Sequence, residues 1–168
     1  MYHLAHGHGH DKVHNFEDRA HDKSMSHETT LAVDISEIEK IYSTLLWLSD
    51  KVALRLRRGG FLARTVTVKV RSSDFRTITR DRTLAAPTDQ AKIIYQTARK
   101  LIPRQYGPRV KVRLLGVKAS NLIENENNQL SLLPDIEGRK LAASSRVIDQ
   151  LRDRYGSSII KLAGTKIG

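Results

Sequence analysis

Arg64-Thr-Val-Thr-Val-Lys-Val-Arg-Ser-Ser-Asp-Phe-Arg-Thr-Ile-Thr-Arg-Asp-Arg-Thr-Leu84 is the stretch whose reading decides the fold. It alternates with period two. Val66, Val68 and Val70 point one way, and Thr65, Thr67, Lys69 and Arg71 point the other. Alternating β-branched and polar residues mark a half-buried strand. Ser72-Ser73-Asp74 supplies a turn, and alternation resumes through Thr77 and Thr79 to Thr83. The prediction is a hairpin with one apolar face and one face of hydroxyls and cations. Singly, such polar residues need do no more than face water. As a set they suit phosphate, because Lys and Arg supply charge while Ser and Thr supply hydrogen bonds that demand no base identity.

The flanks extend this hairpin into a domain. Before it, Met25, His27, Thr29, Leu31 and Val33 share one side of an extended segment, and Ser24, Ser26, Glu28 and Thr30 share the other. Ser36 and Glu39 have the spacing of a capping box. Ile38, Ile41, Leu45, Leu48, Val52 and Leu56 then form one helical stripe. Arg55, Arg57 and Arg58 fall where the helix dipole favours cations, and Gly59-Gly60 stops the helix. After the hairpin, Thr88 is placed to cap a second helix with the stripe Ala91, Ile94, Ala98, Leu101 and Ile102, ended by Pro103. Val110, Val112 and Leu114 alternate with Lys111 and Arg113 in a last strand, which Leu115 to Lys118 ends.

The predicted order is β-α-β-β-α-β. This is an α+β fold in which two helices cover one face of a four-stranded sheet, the split βαβ or ferredoxin-like arrangement. The other face stays open and collects Lys69, Lys111, Arg113 and the threonines. Asn121 to Asn128 reads as a polar linker. Gln129 to Asp135 carries three leucines, and a further helix is predicted from Gly138 to Tyr155 with Leu141, Ser144, Ile148, Leu151 and Tyr155 on one side.

Charge points the same way. The net charge is +11, but residues 51–120 hold 18 Lys/Arg against 3 Asp/Glu, whereas residues 1–50 hold 4 against 9. A basic block of this kind suits a polyanion, most often nucleic acid. No apolar run approaches the ~18 residues of a membrane-spanning helix, and the N-terminus lacks a signal pattern. Cysteine is absent, which excludes a disulfide framework and thiolate metal sites. No membrane partner and a cytoplasmic location are expected.

Several chemistries find no residues to carry them. Gly59-Gly60 lacks the spacing of a phosphate-binding loop, and no nucleophile elbow or zinc-protease motif occurs. Asp74, Asp81 and Asp89 fall at turns or a helix start rather than as a paired-carboxylate metal site. His3, His6, His8, His10 and His14 lack a second ligand cluster and read as a solvated tail. The central strands offer Thr, Val and Lys where an RNA-recognition motif would carry stacking aromatics.

Taken together, Lys-Ser-Met-Ser-His-Glu-Thr-Thr (23–30), Val-Lys-Val-Arg-Ser-Ser-Asp-Phe-Arg-Thr-Ile-Thr-Arg (68–80), Val-Arg-Leu-Leu-Gly-Val (112–117) and Gln-Leu-Ser-Leu-Leu (129–133) resemble the C-terminal third of Y-family translesion DNA polymerases of the bacterial DNA polymerase IV class. Leu-Ala-His-Gly (4–7) is similar to the end of the preceding thumb, and Ile148 to Gly156 to a tail helix of some members. The resemblance implies four parts: the end of the thumb and a linker in residues 1–22, the little finger DNA-binding domain in 23–120, a linker with a clamp-binding peptide in 121–137, and a tail helix in 138–168.

In that family the little finger contacts phosphates of both strands of a primer-template duplex. The resemblance assigns this role to His27, Thr67, Lys69, Thr77, Thr79, Arg113 and Lys118, and the alternation adds Lys111. It assigns docking on the sliding clamp to Gln129, Leu130, Ser131, Leu132 and Leu133. It also implies that the chain is a fragment lacking the palm, whose carboxylates hold magnesium. Such a chain is not expected to polymerise DNA alone, and no cofactor is expected in it. The alternative is a free-standing protein-interaction module that occupies the clamp and regulates other polymerases.

Overall fold

The computed structural model describes residues 24–125, 136–156, 159, 160, 163 and 164. The elements run β1 (Ser24–Ile35), α1 (Ile38–Gly59), β2 (Phe61–Ser72), β3 (Thr77–Thr88), α2 (Ala91–Leu101), β4 (Val112–Glu124) and α3 (Ile136–Tyr155). The four strands form one antiparallel sheet in the order β1-β4-β2-β3. Each crossover skips a strand. The one through α1 straddles β4, and the one through α2 straddles β2. The predicted α+β architecture is therefore present, with β4 and β2 at its centre. No helix among the described residues is long and apolar enough to cross a membrane.

The apolar stripes do what their spacing demands. Ile41, Leu45, Leu48, Val52 and Leu56 of α1 and Ile94 and Ala98 of α2 are fully buried against Val66, Val68 and Val70 of β2 and Leu115, Val117 and Ala119 of β4. Gly60 closes α1 in the left-handed region, at φ 70°, which costs glycine little. The caps differ from the sequence reading. The N-cap of α1 is Glu37, one residue after Ser36, and no side chain caps it; Glu37 instead pairs with Lys40 at 2.8 Å. α2 likewise starts after Gln90, and Thr88 Oγ1 accepts the Gln90 N–H at 3.1 Å, tightening the approach rather than capping the helix.

β4 is the larger correction. It runs on to Glu124, through residues 115–118 that were expected to end it and into the expected linker. Ser72 pairs with Val112 and Arg71 with Leu114, so Arg113 is an extra residue, a β-bulge. The bulge reverses the phase of alternation. Val112 faces the core before it, and Leu115, Val117 and Ala119 face the core after it.

α3 starts at Ile136, two residues before the predicted Gly138, and ends as predicted at Tyr155. Ion pairs tie it to α1, and the Ser145 hydroxyl donates to Gln90 Oε1 at 3.2 Å. Arg57 of α1 grips Asp149 with Nε at 2.5 Å and Nη2 at 3.0 Å, and Arg152 reaches Asp50 at 2.9 Å. Arg58 pairs with Asp153. Leu151 and Tyr155, predicted to share one side of the helix, are exposed. Arg57 and Arg58, assigned by sequence to the helix dipole, thus also anchor a second helix.

Candidate nucleic-acid interface

Both helices of the βαββαβ unit lie on one side of the sheet, and no described element packs on the other. Register fixes what that open face carries. Reading across β1-β4-β2-β3, its rows are Ser24-Ser120-Thr65-Thr83, Ser26-Lys118-Thr67-Asp81, Glu28-Gly116-Lys69-Thr79 and Thr30-Leu114-Arg71-Thr77. Hydroxyls and amines dominate, with Glu28 and Asp81 as the acids. A shallow depression of about 270 Å³ at the middle is lined by Ser26, Glu28, Thr67, Lys69, Thr79 and Lys118, among others.

The polar atoms of this face are held in place by one another. Lys69 Nζ lies 3.0 Å from Glu28 Oε2. Arg71 Nε donates to Thr77 Oγ1 at 2.8 Å. Asn121 Nδ2 donates to Thr65 Oγ1 at 2.8 Å, and the Thr65 and Thr83 hydroxyls are 3.3 Å apart. The result is a grid of donors on rigid strands, suited to an anionic backbone rather than to one small ligand. Among the described residues no cluster of three or more His, Asp or Glu could hold a metal ion.

Thr67, Lys69, Thr77, Thr79 and Lys118 all fall on this face, Lys118 because β4 continues past the point where it was expected to end. Three other assigned residues do not join the grid directly. His27 pairs in register with Val117 and so turns to the helix side, where its ring meets Trp47 edge-on at 5.2 Å between centroids. Partial burial, then the charges of Lys51 and Arg55, hold its pKa below the ordinary value of 6.5. Arg113 sits in the bulge at the end of the sheet, 3.6 Å from Asp34, with its guanidinium 4.8 Å from the Phe75 ring centre. Lys111 precedes β4 and is exposed beside the hairpin turn, where its carbonyl accepts the Ser73 N–H at 3.1 Å. Gln129, Leu130, Ser131, Leu132 and Leu133 lie outside the described residues, as do the five N-terminal histidines.

Ser26, Glu28, Arg71 and Gly116 belong to the face but were not singled out as site residues. The signal was there for three of them, since alternation along residues 64–71 already puts Arg71 on the polar side. Alternation along residues 24–33 puts Ser26 and Glu28 on the polar side and His27 among the apolar residues. Gly116 carried no signal, because the bulge that sets its facing is invisible in the sequence.

Comparison with known proteins places this architecture. The family model described as impB/mucB/samB family C-terminal domain matches residues 22–132. The chain belongs to this family. The domain is 37% identical over 143 residues to DNA polymerase IV 1 of Mesorhizobium japonicum, covering 85% of the chain and 32% of that relative. It is 38% identical over 146 residues to DNA polymerase IV of Moorella thermoacetica, covering 87% and 36%. The chain thus spans about a third of the length of these curated relatives. Among solved structures, the C-terminal domain resembles the chain in a complex of β-clamp processivity factor and little finger domain of PolIV, with a TM-score of 0.50 and 26% identity over 65% of this chain and 97% of that one. It shares the fold of a post-insertion binary complex of Dbh DNA polymerase, with a TM-score of 0.51 and 18% identity over 61% of this chain and 29% of that one.

Proposed function

We propose that the open face grips the phosphates of duplex DNA without reading sequence, as the little finger of a translesion DNA polymerase whose catalytic parts lie outside this chain. One observation carries this reading. Register brings Lys69, Lys118 and Arg71 into a field of Ser and Thr hydroxyls on a face that no described element covers. Phosphate contacts from such groups position a protein without specifying bases. A face of this kind accepts damaged or distorted pairs, because it touches only the backbone. Lys69, Lys118, Thr67, Thr77 and Thr79 form its centre, and Lys111 and Arg113 extend it at the hairpin end. His27 acts through Trp47 on the other side of the sheet, as a packing residue of β1.

Docking on a sliding clamp through Gln129, Leu130, Ser131, Leu132 and Leu133 completes the proposal. A glutamine that hydrogen-bonds at a pocket rim and leucines that fill an apolar groove are the chemistry such a peptide needs. The PolIV little finger that this chain resembles was solved with a β-clamp, which supports this part. The division expected from sequence, 23–120 and 121–137, shifts because β4 runs to Glu124 and α3 starts at Ile136: the proposed grip is residues 23–124 and the proposed tether and peptide 125–135, with the magnesium site in the palm of the parent polymerase.

Fluorescence anisotropy with two labelled duplexes of unrelated sequence tests the grip. Both should bind with equal affinity, in the roughly 10⁻⁴ to 10⁻⁶ M range of non-specific complexes. A strong preference for one sequence would sink the reading. Leu130→Ala with Leu132→Ala should abolish binding to the clamp and leave duplex affinity unchanged. If the pair of substitutions weakened DNA binding instead, residues 129–133 would belong to the grip.

A further inference from the structure

The hairpin tip carries a feature that a phosphate grip does not use. Phe75 is 65% exposed and sits in the left-handed region, at φ 64°. A non-glycine residue there is held against its own preference. The turn holds it by donation from Phe75 N–H to the Ser72 carbonyl at 3.0 Å and from Ser72 N–H to the Arg76 carbonyl at 3.0 Å. The Ser72 hydroxyl also binds Asp74 and the Arg76 carbonyl, so the turn is fixed at its base. An exposed aromatic ring is thereby presented at the end of the sheet on a braced loop.

The ring is backed and rimmed by cations. The Arg113 guanidinium lies 4.8 Å from its centre and is itself steadied by Asp34. Arg76, with 86% of its side chain exposed, and Lys111 flank the same turn. Asp74 is the one acid in the turn, and it is occupied by Ser72 and Arg76.

We propose that Phe75, backed by Arg113, stacks on an unpaired nucleobase next to the gripped duplex, with Arg76 and Lys111 meeting the flanking phosphates. The inference rests on the duplex grip and adds a second ligand element to it. Inside a duplex each base is already covered on both sides, so a protruding ring can accept only an unpaired or terminal base. Stacking on an aromatic side chain is tolerant of base identity, which fits a domain that reads no sequence.

The test uses the full chain and three labelled DNAs sharing one duplex: blunt, extended by a few ordinary nucleotides on one strand, or extended by the same number of abasic nucleotides. The abasic extension has the phosphates without the bases. The wild type should bind the ordinary extension about fivefold or more tighter than the abasic one, from the roughly 1–3 kcal/mol of a single base–aromatic stack. Phe75→Ala should erase that difference. Phe75→Trp should keep the difference, which separates stacking from any change in the turn. Equal affinity of the wild type for both extensions would overturn the proposal, as would a difference that survives in Phe75→Ala. Either result would leave the duplex grip standing and point the exposed ring at a protein partner. Failure to bind even the blunt duplex would remove the grip itself, and the stacking site with it.

Discussion

Lys69 and Glu28 meet across a strand that separates them, their charged atoms 3.0 Å apart over Gly116 of β4. The pairing depends on the missing side chain. A Cβ at Gly116 would stand 3.0 Å from the Glu28 Cβ and 3.5 Å from the Lys69 Cβ. Gly116 thus lets an acid of the edge strand lean over a central strand onto the most central cation of the open face. In the free domain Lys69 is held in place, and a phosphate arriving there must compete with a carboxylate.

Removing that competitor should tighten binding. Glu28→Gln takes away one negative charge from the face and frees Lys69. Duplex affinity should rise by about 1.4-fold to fivefold, equivalent to the ~0.2–1 kcal/mol of an exposed ion pair. Thermal stability should change little, since both side chains are partly solvated. Gly116→Ala should act in the same direction by forcing the pair apart. Anisotropy titrations at low salt check both, and a loss of affinity in Glu28→Gln would show that the carboxylate organises the face rather than competing for it.

His27 makes a pH dependence. Burial beside Trp47 and the charges of Lys51 and Arg55 lower its folded-state pKa. Between that lowered value and the ordinary value of 6.5 the unfolded chain binds the proton and the folded chain does not. Its contribution is therefore fully present above about pH 6.5 and is lost as pH falls through the folded pKa. Urea unfolding at about pH 7.5 and about pH 5.5 should give a smaller difference for His27→Gln than for the wild type. An equal or larger difference in the variant would contradict the placement of His27 against Trp47.

Most of the sheet and both core helices were legible because their signals are local. Val66, Val68 and Val70 alternate with polar residues, and α1 repeats apolar residues at spacings of three and four. The bulge at Arg113 was not legible. It is a relation between strands distant in sequence, and it moved Leu115, Val117 and Ala119 onto the core face and Arg113 off the grid. His27 shows the opposite case. Its own alternation with Met25 and Leu31 already pointed inward, and the family resemblance drew it onto the open face.

The docking of α3 was likewise beyond a pattern of apolar residues, since three ion pairs, Arg57–Asp149, Arg58–Asp153 and Arg152–Asp50, tie it to α1. Arg57 and Asp149 are nearly buried, with 10% and 14% of their side chains exposed. Breaking such a pair by removing one charge costs about 3–5 kcal/mol. Asp149→Asn should therefore release α3 while the sheet stays folded. Hydrogen exchange should show residues 141–155 losing protection by about tenfold or more, with β2 and β4 unchanged. Full protection of α3 in the variant would show that its remaining contacts suffice.

The most direct test of the grip is the salt dependence of duplex binding by the wild type and by Lys69→Ala with Lys118→Ala. Each neutralised phosphate contributes about −0.9 to the slope of log affinity against log salt. Loss of both lysines should make the slope shallower by about 1.8 and weaken binding to every duplex sequence alike. An unchanged slope, with affinity intact, would mean that DNA does not lie on the open face of the sheet.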